Sequence, residues 1–405
     1  MGKFQRLVDI VLIFYFCSLT TSGTPAPTES KDIDSKNDLE LRLVSAVFRH
    51  GDRTVDRTSR ESYPNDPYKS NNFYPAGDGQ LTNVGKKRAY KLGLMLRDRY
   101  NSFLGDVYYP PNVYARSTWL TRSKMTLQLV LAALYPPVDI QKWNSDLPWQ
   151  PMDLIYIPQY EDDLLVPIGC PTYIEAHKNL VQSPEVKKKI GEFNNLMKIA
   201  SNYTGRNITD LTGLVLLYST LYAQSLMELP LPEWTQDIFP DGKLFDAALL
   251  FLDLLSYDQL NNLNGGTFKS NIDMHCVLLR RLIDDMNKVI NGTLGDQKIN
   301  LFSAHDLNVA GILHALNISE RRLPAYTSSV IVELHEKTGM YFVKVLHYLG
   351  IPAEILEVSI PGCEILCPYN KFVELTASTK AFKHTCRPAN AKINRTSKAF
   401  ALFEI

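Results

Sequence analysis

The stretch Val44–Thr58 reads V-S-A-V-F-R-H-G-D-R-T-V-D-R-T and indicates which fold the rest of the chain builds. It continues the apolar run Leu41–Phe48, which has the length and β-branched content of a buried strand. Charged residues around Gly51 follow at once, and open α/β sheets bind ligands beyond the carboxyl ends of their strands. A histidine between arginines, beside a glycine that lets backbone approach an anion, predicts a phosphate site there. Taken alone, the stretch also fits a solvated turn with an exposed histidine.

Composition limits the classes of protein that the chain can belong to. It has 405 residues, of which 45% are hydrophobic, and this is enough for one large domain with an insertion or for two domains. The formal net charge is zero, and there is no basic stripe or zinc-finger spacing, so we expect no nucleic-acid partner. Any capacity to bind anions must therefore be local.

The N-terminus has the features of a targeting segment. Two basic residues precede the apolar run Leu7–Leu19, which is too short to span a bilayer comfortably, and small residues follow it. We predict a signal peptide over residues 1–23, with a buried first helix as the alternative, and a disordered mature N-terminus over residues 24–38. Because no apolar run of about 20 residues occurs near the C-terminus, we expect a secreted protein without a membrane anchor.

Sequons and cysteines agree with an oxidising, extracellular compartment. The C-E-I-L-C segment could be half of a metal site, but no second half follows it, which favours a short local disulfide between Cys363 and Cys367. An odd number of cysteines remains after the signal peptide, and Cys276 is the candidate for a free thiol. Five N-x-[ST] sequons are candidate glycosylation sites: Asn202, Asn207, Asn291, Asn317 and Asn394.

The pattern of strands and helices divides the mature chain. Alternating short apolar strands and amphipathic helices over residues 39–139 and 276–390 predict an α/β catalytic domain. We expect a mixed, mainly parallel central sheet with helices on both faces. Residues 140–275 lack that alternation and predict an α-rich cap insertion. Little regular structure is expected after residue 350, and residues 391–405 are a C-terminal tail.

Three predicted strands end in polar residues that could form one site. The carboxyl ends of parallel strands meet at one edge of a sheet, so these residues should lie together. Guanidinium groups pair with phosphate oxygens, nearby arginines keep an imidazole neutral and nucleophilic, and an aspartic acid can protonate a leaving oxygen, which favours an acidic working range. No metal-ligand spacing is present, so we expect neither a metal nor another cofactor. The candidate residues are Arg49, His50 and Arg53, then Arg116, and then His305 and Asp306.

Several motifs resemble those of the histidine acid phosphatases, which have a phosphoglycerate-mutase-like fold. R-H-G-D-R-T at 49–54 is similar to their R-H-G-x-R-x-P signature, and A-H-D at 304–306 contains their H-D signature. The likeness extends over about residues 40–390, through A-R-S-T at 115–118 and I-P-G-C-E-I-L-C-P from residue 360. Segments such as Y-P-N-D-P-Y and H-Y-L-G-I-P resemble in particular the venom acid phosphatases of bees and wasps.

The resemblance implies roles for these residues. His50 would be the nucleophile that forms a phosphohistidine, and Asp306 the proton donor. The phosphate of a small phosphomonoester substrate would be bound by Arg49, Arg53, Arg116 and His305. The resemblance also implies two disulfides, Cys363–Cys367 and Cys170–Cys386.

Other interpretations stay open at this stage. Val55 stands where the signature has proline, and Leu307 where a small hydroxyl residue is usual, which leaves loop geometry and substrate choice undecided. A phytase-like or other phosphomonoesterase is one alternative, and a catalytically weak, secreted venom-type binding protein is another. The chain is also compatible with a homodimer.

Overall fold

The computed structural model describes residues 39–166, 171–256, 276–318 and 322–376. The predicted signal peptide, the N-terminal segment and the C-terminal tail lie outside these ranges. So do Cys170, Cys386 and Asn394 and the side chain of Cys276.

One mixed sheet of eight strands forms the centre of the fold, in the order β3-β2-β4-β1-β5-β6-β7 with β8 beside β6. Strands β3, β2, β4 and β1 are parallel, whereas β5 to β8 are antiparallel to their neighbours. The α/β prediction is confirmed, and the parallel strands are those that carry the candidate site. The strands are β1 (Glu40–Arg49), β2 (Val113–Ser117), β3 (Ile155–Tyr156), β4 (Ile299–Ala304), β5 (Ser329–Lys337), β6 (Met340–Tyr348), β7 (Ile355–Val358) and β8 (Leu366–Pro368).

Helices cover both faces of this sheet, which explains why both faces of β1 are apolar between Leu43 and Phe48, apart from Ser45. Val44, Ala46 and Phe48 of β1 pack on α1 and α2, while Leu43 and Val47 face α8 and α9. The helices are α1 (Asn83–Leu104), α2 (Thr121–Leu134), α3 (Pro171–Gln182), α4 (Pro184–Gly191), α5 (Asn194–Thr204), α6 (Leu211–Leu226), α7 (Lys243–Ser256), α8 (Cys276–Ile290), α9 (Asp306–Ala315) and α10 (Tyr369–Leu375). Among the described residues, no helix has both the length and the apolar character needed to cross a membrane.

The region expected to form an α-rich cap contains helices α3 to α7, whose apolar side chains form a cluster of their own. Its boundaries as a separate domain remain a prediction. Strand β3 also lies in this region and extends the main sheet, which the sequence did not indicate.

Two expectations concern the segment after residue 350. The expectation of little regular structure was wrong, because β7 and β8 add to β6 and α10 packs behind them. These elements are short, so periodicity gives little signal for them. The Cys363–Cys367 disulfide is present just before β8, as expected for a short local pair.

The register of the parallel strands brings three chain segments to the same level. Arg49 at the end of β1 pairs with Ala304 of β4, and Ser117 at the end of β2 pairs with Ser303. His50 is therefore level with His305, the next residue after β4. Thr118, the next residue after β2, lies one residue earlier, beside Ala304.

A close approach of two glycines fixes the loop after β1 against α1. A Cβ atom on Gly51 would lie 2.5 Å from the carbonyl oxygen of Gly85, and one on Gly85 would lie 2.1 Å from that of Asp52. The amide of Gly51 also donates to the hydroxyl of Thr126 at 3.0 Å. Gly51 thus allows backbone to approach the first turn of α1, a role that differs from the anion contact expected from the sequence.

Candidate active site

His50 is buried directly after β1, and its two ring nitrogens have different surroundings. Nδ1 lies 2.9 Å from the carbonyl oxygen of Gly51, which can only accept, so Nδ1 carries the proton and donates. Nε2 is then unprotonated, and its lone pair accepts a hydrogen bond from Nε of Arg122 at 3.1 Å. The backbone thus selects the tautomer in which Nε2 can attack an electrophile.

Burial and positive charge keep this imidazole neutral. Burial lowers the pKa of His50 well below its ordinary value, and the nearby Arg122, His305, Arg49 and Arg53 lower it further. His50 therefore stays an unprotonated nucleophile in acid, where an ordinary histidine is charged.

Arg122, in the first turn of α2, occupies the position against His50 that we expected for Arg116. Arg116 lies opposite Phe302 in the β2–β4 register and faces α8, where its guanidinium donates to the buried carboxylate of Asp162. Ala115, on the other face of β2, packs with α2. Strand alternation was the signal that could have separated these arginines, because it turns Arg116 away from the helix that carries Arg122.

Two buried carboxylates that the sequence did not single out hold the arginines in place. Arg53 makes a two-point pair with Glu61, in which Nη1 donates to Oε2 at 2.8 Å. Arg122 donates through Nη1 to Asp56 Oδ2 at 3.0 Å, and the amide of Asp56 donates to Glu61 at 2.8 Å. Burial alone would lower the pKa of Arg53, but Glu61 outweighs it and raises that pKa above its ordinary value. All four residues are nearly inaccessible to solvent.

Arg49 and Asp306 form the more open side of the site. Nη2 of Arg49 lies 2.9 Å from Oδ2 of Asp306, whose side chain is 29% exposed. Nη1 donates to the carbonyl oxygen of Pro324 at 2.6 Å, and the guanidinium lies over the ring of Tyr326, 4.3 Å from its centroid. Burial raises the pKa of Asp306, but the Arg49 guanidinium, with smaller contributions that include the Leu307 amide and Arg53, lowers it overall. The carboxylate is therefore ionised beside Arg49.

His305 is held against His50 by its position at the start of α9. Their ring centroids are 5.5 Å apart in an edge-to-face arrangement. Nε2 of His305 lies 3.1 Å from the hydroxyl oxygen of Thr118, and its amide donates to Oδ1 of Asn308. Burial, as the main cause, and the charge of Arg122 lower the pKa of His305 to about 3. Like His50, His305 is therefore neutral in mild acid. Thr118 is the group that β2 contributes to this cluster.

The charges of the side chains at this site balance. Three arginines stand beside three carboxylates, and two neutral histidines lie among them. Such an arrangement can take up a phosphate group, because guanidinium forks match its oxygens in geometry and charge. In the part of the chain described here, no group of three or more His, Cys, Asp or Glu side chains is arranged to hold a metal ion.

Comparison with known proteins identifies the family. Residues 40–348 match the histidine phosphatase superfamily (branch 2), so the chain belongs to that superfamily. It is 43% identical over 338 residues to venom acid phosphatase Acph-1 of Apis mellifera, covering 83% of this chain and 84% of that protein. It is 33% identical over 342 residues to prostatic acid phosphatase of Homo sapiens, covering 83% and 84%. Lysosomal acid phosphatase of Xenopus laevis is 32% identical, covering 83% and 76%.

Solved structures share the fold at lower identity. The Klebsiella sp. ASR1 phytase superposes with a TM-score of 0.60 at 17% identity, covering 87% of this chain and 98% of the phytase. The Hafnia alvei phytase in complex with myo-inositol hexakis sulphate gives a TM-score of 0.60 at 17% identity, covering 86% and 99%. At this identity the likeness supports the fold alone.

Anion binding can distinguish Arg122, which contacts His50 in the structure, from Arg116, which the sequence suggested for that position. We expect Arg122→Lys to weaken binding of inorganic phosphate about tenfold or more, because a lysine cannot keep the fork that reaches both His50 and Asp56. The matched Arg116→Lys should leave the affinity unchanged. Calorimetric titration at acidic pH measures both, with thermal midpoints as the folding control. Equal losses in the two variants would contradict the assignment.

Proposed function

We propose that the chain is an acid phosphatase that hydrolyses phosphate monoesters through a phosphohistidine at His50. Nε2 of His50 attacks phosphorus, the bond from phosphorus to the ester oxygen breaks, and that oxygen takes a proton from Asp306. Water then attacks the phosphohistidine, the N–P bond breaks, and Asp306 recovers a proton from that water. The single observation that supports this sequence best is the Nδ1 hydrogen bond to Gly51, which leaves the Nε2 lone pair facing the arginines.

The charge of the three arginines would stabilise the transferring phosphoryl group. Arg49, Arg53 and Arg122 would face its equatorial oxygens, where negative charge accumulates during transfer. His305, neutral and edge-on to His50, would contact the same group. In this proposal Arg122 takes the role that the sequence suggested for Arg116.

Substrate binding would turn Asp306 from a base into an acid. While it is paired with Arg49, this carboxylate is held ionised. A bound phosphate would compete for Arg49 and place negative charge beside Asp306, and both effects raise the pKa of a carboxyl group. Asp306 is 29% exposed, while Glu61 and Asp56 are 0% and 5% exposed, so Asp306 is the carboxylate that can most readily release its arginine. Protonation of Asp306 in the complex would account for an acidic working range.

The nucleophile is tested by replacing His50. We expect His50→Ala to abolish hydrolysis of p-nitrophenyl phosphate at acidic pH, since no other side chain takes its place after β1. When turnover of a substrate labelled on its phosphate is stopped with alkali, the label should remain on His50 of the wild type. Peptide mapping would locate it there. The control is His335→Gln, which removes a histidine paired with Glu333 on β5. An inactive wild type across the acidic range would instead favour the venom-type binding protein.

The proton donor is tested by varying the leaving group. Asp306→Asn cannot donate a proton, so we expect turnover of glycerol phosphate to fall by about 10²–10⁴-fold. Turnover of p-nitrophenyl phosphate should fall much less, because its leaving oxygen needs little protonation. Steady-state kcat for the two substrates gives this comparison, with inorganic phosphate inhibition as the control for binding. Equal losses for both substrates would rule out the acid role.

Secretion is part of the same proposal, with venom as a candidate location. The sequence predicts a signal peptide, and one relative is named as a venom protein. Glycosylation would also require surface positions. Four of the five sequon asparagines lie in the described ranges, and all four are exposed: Asn202, Asn207, Asn291 and Asn317.

We also propose that the protein forms a homodimer through the edge of its sheet. Both residues of β3, Ile155 and Tyr156, are exposed, and the preceding segment exposes Trp143. An exposed edge strand offers unpaired backbone groups to a second chain. Light scattering should give twice the mass of the chain, and Tyr156→Glu should shift it to the monomer. Tyr74→Glu, at an exposed tyrosine in another loop, is the control, and a monomeric wild type would refute the dimer.

A further inference from the structure

A cavity of about 460 Å³ opens beside Arg49 and Asp306. Its walls come from α6 and α7 on one side and from the start of α9 on the other. Tyr218, Tyr222 and Phe245 line it together with several aliphatic side chains. Because Asp306 would protonate the leaving oxygen, the group attached to that oxygen would lie in this cavity.

Aromatic rings run from the nucleophile into the cavity. The ring of His50 lies 5.6 Å from that of Tyr326, and Tyr326 stacks on Tyr222 at 5.4 Å. Tyr222 stacks in turn on Tyr218 at 5.9 Å, and Tyr218 lies 6.2 Å from Phe245. Burial raises the pKa of Tyr222 to about 12, so this phenol is uncharged in acid. The wall thus offers ring faces and apolar edges without negative charge.

Leu307, immediately after Asp306, also lines the cavity. Its amide donates to Oδ1 of Asp306 at 2.9 Å, which fixes the backbone beside the carboxylate. Its side chain packs against the apolar cluster of α6 and α7 and lines the cavity. A leaving group on the oxygen that faces Asp306 would therefore contact this leucine.

The charges around the cavity do not suit a substrate with many phosphates. Among the described residues that line it, the charged side chains other than Arg49 and Asp306 are Arg322 and Asp241. A polyphosphorylated polyol needs a cation or hydrogen-bond donor for each additional phosphate. The apolar walls would instead leave those phosphates desolvated and unpaired.

We propose that this cavity is the leaving-group pocket, that it takes phosphate monoesters of apolar and above all aromatic alcohols, and that Leu307 is a residue that determines this preference. The proposal rests on the proposed function, because it assumes that Asp306 faces the leaving oxygen.

The test compares substrates whose leaving groups are all alcohols, so that chemical reactivity does not set the order. We expect kcat/KM for benzyl phosphate to exceed that for glycerol phosphate by about tenfold or more, since an apolar pocket discriminates by this amount for small changes in apolar surface. Cyclohexylmethyl phosphate should fall between them if ring stacking contributes, and phytate should be the poorest substrate. Equal values for benzyl and glycerol phosphate would overturn the proposal.

Variants test the assignment of the pocket. Leu307→Thr should lower the ratio of benzyl to glycerol phosphate severalfold, whereas the volume-conserving Leu307→Met should keep it. Phe245→Ser changes a different helix, so it tests the pocket even if Leu307→Thr disturbs Asp306. A ratio that is unchanged in both Leu307→Thr and Phe245→Ser would refute the assignment.

Inhibitors separate this proposal from the proposed function. Benzylphosphonate should inhibit more strongly than methylphosphonate in the wild type and lose that advantage in Leu307→Thr. This measurement needs no bond cleavage at Asp306. If the wild type turns over none of the esters, the proposed function fails; if it turns over all of them without preference, only the pocket assignment fails.

Discussion

Arg49, Arg53 and Arg122 repel one another, and burying any one of them without a partner would carry a large desolvation cost. The structure meets this constraint with one carboxylate for each arginine: Asp306, Glu61 and Asp56. The pairs are not equivalent. Those of Arg53 and Arg122 are closed off from solvent, while that of Arg49 is open. The positive charge is therefore held ready for an anion, and the most exposed of the three pairs lies where a substrate would enter.

The loop that carries Asp56 and Glu61 is fixed from the side of α6, and this connects the helical region to the arginines. Val55, which replaces the proline of the family signature, is buried against Ala223 of α6. The hydroxyl of Thr220 donates to the carbonyl oxygen of Glu61 at 2.6 Å. Packing thus supplies the restraint that a proline ring would supply through its fixed φ angle. Substitutions on α6 can consequently alter the geometry of the arginines without touching a substrate.

The parts of the site that could be predicted from the sequence are those that follow a strand directly. His50 and His305 come immediately after β1 and β4, so hydrophobic pattern and parallel pairing together bring them close. Arg122 lies beyond a short loop, in the first turn of α2. Its direction depends on how α2 packs, which no local pattern specifies. The same holds for Glu61, whose carboxylate reaches Arg53 only after the long loop has folded. Local rules predicted Arg116 at a strand end. The alternation of side chains along β2 turns it toward α8, on the face of the sheet opposite to α2 and Arg122.

Two faces of helix α6 contact different parts of the site, because residues four apart lie on the same face of a helix. Tyr218 and Tyr222 are four residues apart and face the cavity beside Arg49. Thr220 and Gln224, also four residues apart, face the loop and donate to Glu61 and to the carboxylate of Asp66. A rotation of α6 would therefore move the aromatic wall and the support of Glu61 together. In the proposed function, phosphate binding and leaving-group contact would then be coupled through one rigid element. The shape of the leaving group would influence how well the arginines are aligned for phosphoryl transfer.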